Sequence, residues 1–323
     1  LDNRRGVVYA ANFTANRIEV VSMWDLTTRA PYTVPPQPGS ISLSPDGRYL
    51  VVTHYARWRG GDGTILPGIT ILDLDAGTRR TITNGVTPLT VAFGGGSQAL
   101  VVSTEGFLLL DPATGVTQTL APKEMGGLEL PAPLASYPLD IVQASLGVSG
   151  DSRYIVGVAS SEEQDLQRTV NFRYDVQTRE VFITGVKASP PLGPRLVSVD
   201  EHGLSQLVGW ALFDYRTVLL AQFPHAKGEL SIGTHVIDWA RSLVYAQVPE
   251  STAPEGVIAP PVLHVLDSDN LTVRERIRLP ENLAGRSLLN PDHSVMYSVS
   301  ASGLTVLPVG DLYKMPRVMA AKE

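Results

Sequence analysis

The chain has 323 residues, 43% of them hydrophobic and 18% charged, enough to bury a large core as one large all-β domain or two ordinary domains, of which the repeats below favour a single domain over 1–323. With 26 Lys+Arg against 32 Asp+Glu the net charge is −6, so there is no general electrostatic attraction for nucleic acid or an anionic membrane. The absence of cysteine excludes disulfide frameworks, thiolate catalysis and Cys-based zinc sites, and no apolar run approaches the roughly 20 residues of a membrane-spanning helix.

The chain opens on Gly6-Val7-Val8-Tyr9-Ala10-Ala11 and Arg17-Ile18-Glu19-Val20-Val21-Ser22. These read as strands b and c of a unit that lacks a strand a. Because Leu1 is not an initiator Met, the chain reads as a processed protein or a piece of a longer one. From residue 41 a module recurs about every 40 to 55 residues: apolar strand a, a polar turn, apolar strand b, strand c, and an Asp-led turn into strand d. The a–b turns are Ser44-Pro45-Asp46-Gly47, Gly94-Gly95-Gly96-Ser97, Ser149-Gly150-Asp151-Ser152, Asp200-Glu201-His202-Gly203, Trp239-Ala240-Arg241-Ser242 and Asn290-Pro291-Asp292-His293. The c–d turns begin at Asp111, Asp175 and Asp267, where an Asp before Thr, Gly or Asn caps a hairpin with its own side chain. The b strands, such as Ala99-Leu100-Val101-Val102, are near-continuous apolar runs, as expected of strands covered on both faces. The least regular stretch, 121–138, is the connection between the third and fourth units. After Gly303-Leu304-Thr305-Val306-Leu307, the segment Pro316-Arg317-Val318-Met319-Ala320 is expected to pair beside Val7 to Ala11 as the missing inner strand, removing sheet edges.

The turn Ser44-Pro45-Asp46-Gly47-Arg48-Tyr49 running into Leu50-Val51-Val52-Thr53, with Ile69-Thr70-Ile71-Leu72-Asp73-Leu74 and Gly77-Thr78 later in the same unit, resembles the bacterial YVTN-repeat and lactonase-like β-propellers. The resemblance implies an all-β, seven-bladed β-propeller of four-stranded antiparallel blades, its ring closed by N- and C-terminal strands. WD40-like in architecture, the chain has its one Trp-Asp dipeptide at Trp24-Asp25, without a recurring Gly-His partner. Propellers of this kind serve as binding modules, surface proteins, hydrolases and electron-transfer subunits, so the fold leaves function open.

A propeller gathers its b–c and d–a loops on one face around the channel mouth. The expected b–c loops carry His54, Tyr55, Arg57, Trp58 and Arg59 in unit two, 160–165 in unit four, Asp214, Tyr215 and Arg216 in unit five, and 249–255 in unit six. Arg195 and Arg286 stand in the d–a connections of the same face. Two arginines flanking Trp58 offer charge and a stacking surface, suited to a small anionic or carbohydrate ligand or to a partner protein. The other reading makes Trp58 a cover over neighbouring blades. No pair of histidines has metal-ligand spacing, there is no Gly-x-Ser-x-Gly elbow, and no Gly-rich loop precedes a helix, so neither metal nor cofactor is expected. The leading expectation is a monomeric, extracellular or periplasmic bacterial module for binding or protein interaction, with enzymatic activity the second reading. The alternative is a lactonase-like hydrolase with His54, Arg57 and Arg216 around a carboxylate and Glu105 or Asp214 as the base.

Overall fold

The computed structural model describes residues 1–55, 68–83, 85–125, 140–163, 166–188, 196–223, 233–248 and 260–310. Among them the named elements are strands, in seven sheets. The first holds β1 (Val7–Asn12), β2 (Arg17–Ser22) and β3 (Thr28–Thr33). The second holds β4 (Pro38–Leu43), β5 (Tyr49–His54), β6 (Gly68–Asp73) and β7 (Thr78–Ile82). The third holds β8 (Pro88–Phe93), β9 (Ala99–Ser103), β10 (Gly106–Leu110) and β11 (Thr117–Leu120). In the fourth, β12 (Lys123–Glu124) lies parallel against β16 (Glu180–Ala188), outside the meander of β13 (Ile141–Val148), β14 (Tyr154–Glu163), β15 (Leu166–Asp175) and β16. The fifth holds β17 (Val197–Val199), β18 (Ser205–Val208), β19 (Ala211–Asp214) and β20 (Leu219–Gln222). The sixth holds β21 (Thr234–Asp238), β22 (Leu243–Gln247), β23 (Val262–Asp267) and β24 (Val273–Arg278). The seventh holds β25 (Leu283–Leu289), β26 (Val295–Ser300) and β27 (Gly303–Pro308). The four-strand order a-b-c-d is thus complete in blades two to six, while blade one shows b, c and d and blade seven shows a, b and c. The segment 316–320, expected to close the ring, lies outside the described residues. By compactness the chain divides into two units, 1–190 with 197–208 and 213–219, and 191–196 with 209–212 and 220–323.

All six expected a–b turns fall between strands a and b, and two of them share one chemistry. Ser44 Oγ donates to Asp46 Oδ1 at 2.5 Å while accepting the Tyr49 N–H at 2.8 Å. Ser149 does the same with Asp151 and Tyr154, at 2.6 and 2.9 Å. The c–d turns are capped as expected: Asp111 accepts from the backbone N–H of Ala113 and Thr114, Asp175 from Gln177 and Thr178, and Asp267 from Asp269.

Apolar side chains pack between successive blades. Val7, Tyr9 and Ile18 of blade one meet Leu50, Val52 and Leu72 of blade two, and Leu243, Tyr245 and Leu263 of blade six meet Leu283 and Met296 of blade seven. Each such buried side chain contributes about 1.5–3 kcal/mol. A strand inside a blade is therefore apolar on both faces, which explains the continuous runs.

Two polar clamps repeat one spacing, Asp-x-x-Arg-x-x-x-Tyr, at an a–b turn. Buried Asp2 accepts from Arg5 N at 3.0 Å, Arg5 Nη1 at 2.9 Å and Tyr9 OH at 3.1 Å, and Arg5 reaches Gly47 O of the next blade at 2.6 Å. Asp238 accepts from Arg241 N at 3.2 Å, Arg241 Nη1 at 3.3 Å and Tyr245 OH at 3.5 Å, and Arg241 reaches His293 O at 3.2 Å. Gly47 and His293 occupy the same turn position with φ of 71° and 57°. Where glycine adopts that conformation freely, His293 holds it with an imidazole whose Nδ1 lies 2.7 Å from Asp238 Oδ1. Burial, then Asp238, pushes the Tyr245 hydroxyl up to about 12.

Candidate functional site

His54 ends β5 and is 1% exposed. Its Nδ1 donates to Pro36 O at 3.1 Å, which leaves Nε2 to accept from Thr70 Oγ1 at 2.8 Å, and Thr70 in turn accepts from Thr81 at 2.9 Å. Burial lowers its pKa, so the ring is neutral and spent on the blade. The apolar run before it is the signal for this role: His54 continues strand b.

Tyr55, one residue on, leaves the strand and is 43% exposed. Its ring lies across Gly39 of β4, where a Cβ would come within 2.5 Å of it. Phe13, 48% exposed in the b–c turn of blade one, meets Tyr55 edge-on with centroids 6.2 Å apart and planes at 64°. The backbone beneath is fixed by Tyr55 N–H to Gln37 O at 3.2 Å and Gln37 N–H to Asn16 Oδ1 at 2.9 Å. This aromatic pair belongs to the face of b–c turns. Phe13 was not among the expected site residues; an aromatic inside the polar turn Asn12-Phe13-Thr14-Ala15-Asn16 was its signal. Arg57, Trp58 and Arg59 lie outside the described residues, as do Arg195 and 249–255.

Asp214, Tyr215 and Arg216 are placed differently from expectation. Strand b of blade five stops at Val208, and its b–c connection is Gly209-Trp210, with buried Trp210 against Phe223 at 5.9 Å and 89°. Asp214 therefore ends strand c and caps the c–d turn, accepting from Arg216 N at 2.9 Å and Val218 N at 2.7 Å. In an antiparallel meander the ends of strands b and c are at opposite ends of the sheet. The blade-five trio is thus not brought together with His54 and Tyr55. Tyr215 instead joins a ladder: Arg216 stands 5.1 Å from its ring centroid, Arg173 6.0 Å from it and 3.3 Å from that of Tyr154, and Arg173 donates to Gly203 O at 2.7 Å. In blade four, 160–163 continue strand β14 where a loop was expected. Glu105 is exposed in the b–c turn of blade three. Arg286 stands on β25, the first strand of blade seven.

Similar architecture is found in solved structures. Kuenenia stuttgartiensis hydrazine synthase matches with a TM-score of 0.65 at 12% identity, over 94% of this chain and 93% of that one. The fold is a seven-bladed β-propeller. The β-propeller domain of Cps50 (Swd1) from Myceliophteria thermophila matches with a TM-score of 0.59 at 12% identity, over 95% of this chain and 98% of that one. The Dos1 propeller matches with a TM-score of 0.64 at 12% identity, over 96% of this chain and 77% of that one. At such identity the likeness concerns the fold alone. No protein-family model and no curated protein matches the sequence.

Proposed function

We propose that this propeller is a protein-binding module whose recognition surface is the b–c and d–a face of blades one and two. The observation that carries the reading is the Phe13–Tyr55 pair: two half-exposed aromatic rings in contact at 6.2 Å, seated on a hydrogen-bonded strand end. Rigid aromatic side chains supply contact area at little entropic cost, and such residues dominate interface energetics. Arg57, Trp58 and Arg59 follow Tyr55 closely in sequence and lie outside the described residues. The propeller fold is a common scaffold for protein interaction, which agrees with this reading. An extracellular or periplasmic bacterial setting rests on the turn-and-strand resemblance alone.

Of the two bases of the hydrolase alternative, Asp214 caps a turn at the other end of its sheet and Glu105 is exposed in the b–c turn of blade three, while His54 has both ring nitrogens occupied. The test is peptide display against the intact protein. Selected peptides should lose tenfold or more in affinity on Tyr55→Ala or Phe13→Ala, with the melting temperature moved by no more than about 2 °C, since a hot-spot ring carries about 2 kcal/mol. Binders indifferent to both substitutions would overturn the assignment.

A further inference from the structure

The ladder between β25 and β26 breaks in blade seven. Ala284 pairs with Val299 and Leu288 with Tyr297, so Gly285, Arg286 and Ser287 together oppose Ser298. Bulges of this kind re-aim side chains and concentrate beside functional sites. Polar contacts pin the bulge on both sides. Thr234 Oγ1 of β21 donates to Gly285 O at 2.7 Å and lies 2.6 Å from Ser287 Oγ, which donates to Ser298 Oγ at 2.8 Å. Gly285 has φ of +68°, and a Cβ built on it meets nothing within 4 Å, so the bulge borders open space.

Arg286 projects from the middle of this bulge. Water reaches its side chain, yet it has no hydrogen bond, ion pair or ring contact among the described residues. The better-covered arginines are occupied: Arg5 and Arg241 by the carboxylates of Asp2 and Asp238, Arg173 by Gly203 O and two tyrosine rings. An exposed guanidinium without a counter-charge keeps its planar fork of donors available, and an arriving oxyanion would take it up through a two-pronged, charge-assisted contact. The first strand of a propeller blade borders the central channel, where small ligands lodge.

We infer that Arg286 anchors a binding site for a small oxyanion, the carboxylate or phosphate group of a small molecule, on the inner strand of blade seven. The site does not depend on the Phe13–Tyr55 platform.

Thermal unfolding with inorganic phosphate or malonate, against sodium chloride of matched ionic strength, tests the assignment on the intact protein. The wild type should be stabilised saturably by at least one of the two anions. Phosphate alone identifies a phosphate-bearing ligand, and malonate alone a carboxylate. Arg286→Gln should raise the apparent Kd at least tenfold while melting no lower than wild type in anion-free buffer, because the side chain it replaces holds no partner among the described residues. Arg286→Lys, which keeps charge without the planar fork, should bind with intermediate affinity. A wild type that responds to neither anion beyond sodium chloride, an Arg286→Gln response equal to wild type, or a Gln variant destabilised in anion-free buffer would each overturn the site.

Discussion

The clamp around Asp238 yields the sharpest test of how the blades are held together. Its carboxylate is fully buried and serves the Arg241 backbone and side chain, the Tyr245 hydroxyl and the His293 imidazole. Asp238→Ala removes the acceptor that these donors share and the buried carboxylate that Arg241 faces. Breaking a buried pair from one side costs about 3–5 kcal/mol. At about 2.1 cal/mol/K per residue, the unfolding entropy of 323 residues is about 0.7 kcal/mol/K, so the melting temperature should fall by about 4–7 °C.

The second half of the test uses His293. Glycine there would relieve a left-handed conformation worth about 1 kcal/mol but would lose the bond to Asp238, worth about 1.5–3 kcal/mol, and the edge contact with Trp239 at 4.7 Å. His293→Gly should therefore destabilise the wild type by about 1–2 kcal/mol and be neutral or stabilising in the Asp238→Ala background, where no bond remains to be lost. Calorimetry on the four proteins reads this change of sign. Equal shifts in both backgrounds, or an Asp238→Ala variant within 1 °C of wild type, would refute the reasoning.

Two further outcomes follow from single residues. Burial holds the buried His235 imidazole at about 3 against an ordinary 6.5, so its contribution is present above pH 6.5 and is lost as pH falls toward 3. Between pH 7 and pH 5 this amounts to about 2 kcal/mol, and His235→Phe should remove that much of the pH dependence measured by urea unfolding; an unchanged slope would contradict it. Asp214→Ala should cost about 1–2 kcal/mol through its two turn bonds and leave peptide affinity at the Phe13–Tyr55 platform untouched; a binding defect at unchanged stability would return Asp214 to the site.

These residues also mark where sequence reading reaches its limit. Turns were legible because their chemistry is local: Ser44, Asp46 and Tyr49 satisfy one another within six positions, and the same set recurs at Ser149, Asp151 and Tyr154. Strand runs were legible because packing between blades demands apolar residues on both faces. The repeated clamp spacing at Asp2, Arg5 and Tyr9 and at Asp238, Arg241 and Tyr245 was present in the chain but carries its meaning only across a blade boundary, at Gly47 O and His293 O. Blade five misled for a related reason. The Gly209-Trp210 connection is so short that Ala211-Leu212-Phe213 reads as a continuation of strand b, and shifting one strand end moves Asp214, Tyr215 and Arg216 to the opposite end of the sheet. The same sensitivity separates neighbours in blade two. His54 and Tyr55 are adjacent in a loop-like string of polar residues, yet one closes strand β5 with both nitrogens bonded while the other stacks outside on Gly39. Alternation along a strand assigns sides only while the strand lasts, and at its last residue a single step decides between a buried structural group and a surface offered to a partner.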